Sequence, residues 1–135
     1  KLQQYAKDFF EPIRARIEVD GQRLSGDEFM SMQVGAIDIN LAGVVRCFRH
    51  ARSGGSLHFQ ALSTTPLGVV ANVPSLVLGA PIIGRHVYDD RAREVSIVAT
   101  ASDRLMPVID GEQFEAQPQL GLSLGPRLQI PRLPN

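Results

Sequence analysis

The sequence has little of three things that would each define a common class of protein. Its single cysteine, Cys47, cannot form a disulfide within the chain, and no histidine and cysteine residues have the spacing of zinc ligands. Its 14 basic residues are balanced by 14 acidic residues, so no net charge attracts nucleic acid or an anionic surface non-specifically. Its longest apolar run, from Leu76 to Ile83, contains Gly79 and Pro81 and is far shorter than the roughly 20 residues of a membrane span. We therefore expect a reducing compartment, no zinc and no nucleic-acid partner.

Length and composition indicate one folded domain over residues 1–135. A chain of this size can bury a core, and 44% hydrophobic and 21% charged residues are ordinary for a globular fold. The first residue is lysine rather than methionine and no signal sequence follows, so we expect the chain to be part of a longer protein.

Alternating apolar and polar residues predict eight to ten short strands. In the clearest, Ile13, Ala15, Ile17 and Val19 alternate with charged residues, and Asp20-Gly21 predicts a hairpin turn directly after them. Further strands are predicted over 22–24, 29–34, 44–48, 57–62, 95–99, 105–109, 120–124 and 128–130, with an irregular loop over 35–43. The pattern is typical of a mainly β protein, a two-layer β-sandwich.

Two segments have helical spacing. The first is a short amino-terminal helix over 2–9, which Pro12 follows. The second is an internal helix capped by Thr64 or Thr65, with Pro66 at its first position and Pro74 expected to kink or split it. The apolar residues expected to face the core are Leu67, Val70, Val73, Leu76 and Val77.

The triplet Asp110-Gly111-Glu112 is the most informative candidate for chemistry. Two carboxylates flank a hairpin turn, where one could accept a hydroxyl proton while the other helps to hold Mg²⁺. From the residues alone, however, a simple tight turn is the favoured interpretation, because Asp20-Gly21 occurs in the same chain.

Other polar residues give weaker signals. Arg85 and His86 could bind a phosphate, although an isolated Arg-His pair is more often a solvated loop edge. His50 and His58 have no ligand partner at useful spacing, so packing is the better interpretation of both. From the residues alone we predict a β-sandwich with a carboxylate-bearing turn and no specific activity.

The order and spacing of these segments resemble the second domain of diacylglycerol kinase-like lipid kinases, from about Ile13 to Leu133. The best single match is the run from Pro107 to Glu112, which resembles the hallmark Asp-Gly-Glu of that family. The other matching segments are the hairpin at Asp20-Gly21, the strand ending at Val34-Gly35, the strand-turn-strand from Phe48 to Leu62, the helical stretch from Pro66 to His86, and the end of the final strand from Leu128 to Pro131.

The resemblance implies the fold of the NAD kinase and diacylglycerol kinase-like enzymes and a role in phosphoryl transfer. Asp110 would be the general base for a diacylglycerol-like hydroxyl and Glu112 would belong to the magnesium network. Arg85 and His86 match a Gly-Arg/Lys-His type segment of the family, and their phosphate-binding role is suggested by their own chemistry. ATP and Mg²⁺ would be bound in a separate amino-terminal domain of the parent, so this part alone would be inactive and without cofactor. The parent would be cytoplasmic, at the inner face of the membrane.

Departures from the family pattern leave alternatives open. The turn from Phe48 to Gly55 lacks the carboxylates that bind a structural cation in the family, so no metal is expected there. The identity of the lipid stays open, and a homodimer through exposed strand edges is possible. The main alternative is a non-catalytic sandwich that binds lipid or a protein partner, and the sandwich of NAD kinases is a less favoured third interpretation because its nucleotide-contact motifs are not found.

Overall fold

The computed structural model describes residues 11–41, 45–78, 80–84 and 86–126. They form a mainly β fold, as predicted, with one α-helix and one 3₁₀ turn. The strands are β1 Ile13–Val19, β2 Gln22–Arg23, β3 Glu28–Phe29, β4 Ser31–Gly35, β5 Ile39–Leu41, β6 Val45–Cys47, β7 Leu57–Leu62, β8 Val87–Ala92, β9 Glu94–Ala99, β10 Val108–Ile109, β11 Glu112–Gln113 and β12 Gln119–Ser123. The helix is α1, Pro66–Leu78, and the 3₁₀ turn is Arg49–Ser53. The helix over 2–9 and the strand over 128–130 lie outside the described residues.

Two antiparallel sheets dominate the architecture. The first has the order β12-β9-β1-β2, with β3 also paired to β1, and the second has the order β4-β7-β8. The pairs β5–β6 and β10–β11 are separate hairpins. No helix in the described ranges is long and apolar enough to span a membrane.

One hydrophobic core joins the two sheets. Every second residue of β1, namely Ala15, Ile17 and Val19, is buried, and these side chains belong to the same cluster as Phe59 and Ala61 of β7. Alternate residues of a strand point to opposite faces, so each sheet turns one face towards the other and leaves the second face polar. This arrangement is β-sandwich-like.

The predicted strand over 29–34 is interrupted, and part of the predicted loop is ordered as a strand. The chain leaves the first sheet at Phe29, which pairs with Ile13, and enters the second at Ser31, which pairs with Leu62. The loop prediction for 35–43 was wrong in part, because Ile39–Leu41 pairs with Val45–Cys47. Apolar alternation is the same in either sheet, so the pattern cannot show where the chain changes partner.

The internal helix begins as predicted but presents a different face. Thr65 Oγ1 accepts the backbone N–H of Gly68, and the helix continues through Pro74 without being split. Leu67, at 77% exposed, faces solvent, as do Val70 and Val73, so the prediction that these residues face the core was wrong.

The polar residue Asn72 anchors the helix instead. Its side chain is buried, and it bonds to both the backbone N–H and the carbonyl of Ile83. Helical spacing shows which residues share a face, but contacts elsewhere in the chain decide which face is covered. Here α1 contacts the short strand β6.

The hairpin after β1 gives a first testable prediction. Asp20 and Gly21 both have positive φ, 50° and 78°, as a two-residue turn between twisted strands requires. We expect Gly21→Ala to lower the free energy of unfolding by about 1 kcal/mol in urea titrations, because an alanine Cβ is strained there. The control is Gly121→Ala, since Gly121 lies in β12 without positive φ and with open space around it. Equal effects of the two changes would contradict the prediction.

Candidate functional site

The candidate carboxylates Asp110 and Glu112 lie on the hairpin formed by β10 and β11. Asp110 and Gly111 form its two-residue turn, with φ of 51° and 88°, and Glu112 pairs with Ile109. Both acidic side chains are exposed. Within the described part of the chain, no hydrogen bond or ion pair involves either carboxylate. Both are therefore accessible to a substrate or an ion.

The two Asp-Gly turns differ in how the aspartate side chain is used. The carboxylate of Asp20 accepts the backbone N–H groups of Arg93 and Glu94, each at 2.9 Å. The bonds from Glu94 and Arg93 lower the pKa of Asp20 below its ordinary value. Asp20 thus ties its turn to the β8–β9 connection, whereas the turn at Asp110 makes no such use of the carboxylate. A structural role explains the first aspartate better than the second.

The stem of the carboxylate hairpin borders an apolar cleft of about 480 Å³. Both sheets contribute to its walls, and every lining residue except Gln33 is apolar. The lining residues are Met32, Gln33, Val34, Phe48, Phe59, Ile97, Met106, Pro107, Val108, Ile109, Leu120 and Leu122. Its volume falls in the range of roughly 300–1,000 Å³ that is usual for small-molecule sites. Asp110 and Glu112 do not line the cleft, but they come directly after Val108 and Ile109, which do.

Phe48 is a cleft residue that sequence reasoning did not single out. It has a φ of 61°, which is unusual for a bulky residue, and its ring lies over Gly35. A Cβ at Gly35 would overlap that ring, so the glycine is needed for this approach. The glycine after Val34 was a visible signal, but the sequence did not show which side chain it accommodates.

The weaker candidates do not join the cleft. Arg85 lies outside the described residues. His86 is exposed, and its Nδ1 lies 3.5 Å from Ser25 Oγ, beside a separate cavity of about 60 Å³. His86 therefore has no described contact with the carboxylate hairpin, and its phosphate-binding role stays a prediction.

Asp89 is the centre of a buried polar cluster that the sequence did not predict. Its side chain is 6% exposed. One carboxylate oxygen accepts bonds from His58 Nε2 at 2.6 Å and Gln60 Nε2 at 3.1 Å. The other accepts from the Arg49 guanidinium at 2.8 Å and from the backbone N–H of Ile82 at 3.1 Å. Every donor in this cluster thus converges on a single acidic group.

These bonds determine the charge state of the cluster. Burial by itself would raise the pKa of Asp89, but the hydrogen bonds from His58, Arg49, Ile82 and Gln60 together hold it well below its ordinary value. Asp89 is therefore ionised at neutral pH and compensates the charge of Arg49. Burial, followed by the nearby Arg49 charge, lowers the pKa of His50.

His50 and His58, which have no potential ligand at a useful spacing in the sequence, lie side by side in the structure. The rings of His50 and His58 meet edge-on with centroids 4.8 Å apart, and His58 is buried. His58 is packed in the interior, whereas His50 and Asp89, which no short sequence spacing connects with it, lie beside it in space. His50 belongs to the turn from Phe48 to Gly55, where no metal was expected, yet its partners come from β7 and β8.

No protein-family model matches the chain, and no curated protein matches it significantly. The mainly β fold is shown by the structure itself. The resemblance to diacylglycerol kinase-like enzymes stays a prediction, as do the roles of Asp110 and Glu112.

Proposed function

We propose that the chain is the acceptor-binding domain of an ATP-dependent lipid kinase. The observation that carries this proposal is the apolar cleft: two of its lining residues, Val108 and Ile109, lead directly into the hairpin turn with Asp110 and Glu112. An acyl chain fits the apolar lining, and a hydroxyl at the mouth of the cleft would lie near accessible carboxylates.

Asp110 acts as the general base in the proposed reaction. It takes the proton of the lipid hydroxyl as the lipid oxygen forms a bond to the γ-phosphorus of ATP, and ADP leaves. Glu112 offers the kind of oxygen ligand that Mg²⁺ prefers, and Mg²⁺, when bound, neutralises charge on the phosphates. ATP-Mg²⁺ would be bound by another domain of the parent protein, and the present domain would supply the other wall of that cleft.

The partners and location follow from this reaction. The substrate is a membrane lipid of the diacylglycerol type, so the parent acts at the cytoplasmic face of the membrane. The exposed apolar residues Leu67, Val70 and Leu78 of α1 support contact with a lipid surface or with the nucleotide-binding domain.

The test is phosphoryl transfer by the full-length parent. Radiolabelled ATP with Mg²⁺ is incubated with vesicles that contain diacylglycerol, a sphingoid base or another lipid alcohol, and labelled lipid is measured. Transfer to one of these alcohols is the expected result and identifies the substrate. A folded parent that transfers phosphate to no lipid would rule out the kinase proposal.

Lipid binding by the chain itself gives a second prediction. Val108 lines the cleft but is 64% exposed, so Val108→Asp places a charge at the apolar wall without disturbing the core. We expect at least tenfold weaker binding of a fluorescent long-chain alcohol, because the aspartate must be desolvated by the bound chain.

The matched control for this change is Val98→Asp. Val98 lies on β9 at 37% exposed and does not line the cleft. The Val98→Asp variant should bind the fluorescent alcohol as tightly as the unaltered chain does. Equal binding by the Val108 and Val98 variants would show that the alcohol does not occupy the cleft.

A second candidate function is a lipid-binding module without catalysis. It is favoured by the position of Asp110 and Glu112 outside the cleft lining and by the second Asp-Gly turn, which shows that such turns occur here for structural reasons. In that case Val108→Asp would still weaken binding of the fluorescent alcohol, while the parent would transfer no phosphate to lipid.

A further inference from the structure

His50, together with His58 and Asp89 of the buried polar cluster, brings potential metal ligands close to one another, and the lipid-kinase proposal does not use them. His50 comes from the 3₁₀ turn, His58 from β7 and Asp89 from β8. One potential ligand atom of each residue lies within 4.8 Å of those of the other two. His50 is half-buried, so the group can be reached from solvent on that side.

The carboxylate of Asp89 already accepts its full number of hydrogen bonds, and one of them orients His58. A carboxylate accepts about four hydrogen bonds, and Asp89 receives four, from His58, Gln60, Arg49 and Ile82. Because Asp89 is an acceptor, the 2.6 Å bond requires the proton to be on His58 Nε2. In the neutral imidazole, this position of the proton leaves a lone pair on Nδ1.

The second ring nitrogen of His58 has no partner in the described ranges. Nδ1 is completely buried and makes no hydrogen bond. An unpaired buried polar atom costs about 1–3 kcal/mol and therefore needs an explanation, such as a bound ion or water. A histidine held by a carboxylate through one nitrogen, with the other nitrogen free, has the arrangement of a metal-binding histidine.

We propose that His50 and His58 bind a divalent transition-metal ion of the Zn²⁺ type, with His58 oriented by Asp89 and solvent completing the coordination. Imidazole nitrogen favours such ions over Mg²⁺ or Ca²⁺. The ion would link the Arg49–Ser53 turn to β7, a structural role that does not depend on the lipid-kinase proposal. The proposal reverses the expectation that the turn from Phe48 to Gly55 binds no metal, which rested on its lack of carboxylates.

Calorimetric titration of the chelator-treated chain with ZnCl₂ tests the proposal. We expect one ion per chain and, with excess Zn²⁺, a rise in Tm of about 3–8 °C, because the ion binds only the folded state. Mg²⁺ at the same concentration should produce neither effect.

Substitutions at three residues determine where the ion binds. His50→Ala should abolish both binding and the rise in Tm. His86→Ala, at the exposed histidine outside the cluster, and Cys47→Ser should retain both. If the alanine variant does not fold in the presence of the chelator, His50→Gln, which keeps a polar side chain of similar length, replaces it in the same test. Absence of Zn²⁺ binding by the unaltered chain would overturn the proposal, as would unchanged binding after loss of His50; water would then explain the unpaired nitrogen.

Discussion

Replacing Asp110 by asparagine in the full-length parent is expected to reduce lipid phosphorylation by about 10²–10⁴-fold, the usual contribution of a general base. Asparagine preserves the size of the side chain but cannot accept the hydroxyl proton. It also tolerates the positive φ of 51° at this position, so the turn should persist. The measurement is the initial rate of γ-phosphate transfer to the lipid identified with the unaltered parent.

The second Asp-Gly turn provides the control for this experiment. Asp20→Asn makes the same chemical change at a φ of 50° and retains a side-chain oxygen for the backbone N–H groups of Arg93 and Glu94. We expect the rate of this variant to stay close to that of the unaltered parent. If Asp110→Asn were equally active, another group would be the base and the assigned role of Asp110 would be wrong.

Replacing Asp89 by asparagine is expected to lower the free energy of unfolding by about 3 kcal/mol, a large part of the 5–15 kcal/mol typical of a domain. The change leaves the Arg49 charge, which is 19% exposed, without its partner. It also turns an amide NH₂ towards groups that are themselves donors. Urea unfolding in the presence of a chelator measures the effect.

The neighbouring Asp90 is the matched control for Asp89. It lies on the same strand but is exposed, and the only described hydrogen bond of its side chain is with the backbone N–H of Arg91. Asp90→Asn should change the free energy of unfolding by no more than about 0.5 kcal/mol. Similar losses in the two variants would show that the buried cluster contributes little stability.

The same cluster predicts how stability depends on pH. The pKa of Asp89 is lower in the folded than in the unfolded chain, so its contribution is complete above the unfolded value of about 3.9. The contribution is lost progressively as the pH falls below that value towards the folded pKa. The unaltered chain should therefore lose more stability between pH 5 and pH 3 than Asp89→Asn does. Parallel losses would contradict this.

Local sequence features by themselves determined much of the fold. The strand Ile13–Val19, the strand Leu57–Leu62 and the turns at Asp20 and Asp110 lie where they were predicted. Each depends on a period of two residues or on a local φ preference, which act within a few residues and can be read directly from the chain. The position of the carboxylate hairpin was predictable for the same reason.

Only the tertiary structure decided which distant residues meet. His58 and Asp89 are 31 residues apart and come together because β7 and β8 pair in one particular register. The exposed face of α1 and the position of the Phe48 ring over Gly35 likewise depend on contacts with other segments. Local preferences contain no information on such pairings, because a strand with one apolar face is compatible with several partners until the core is assembled.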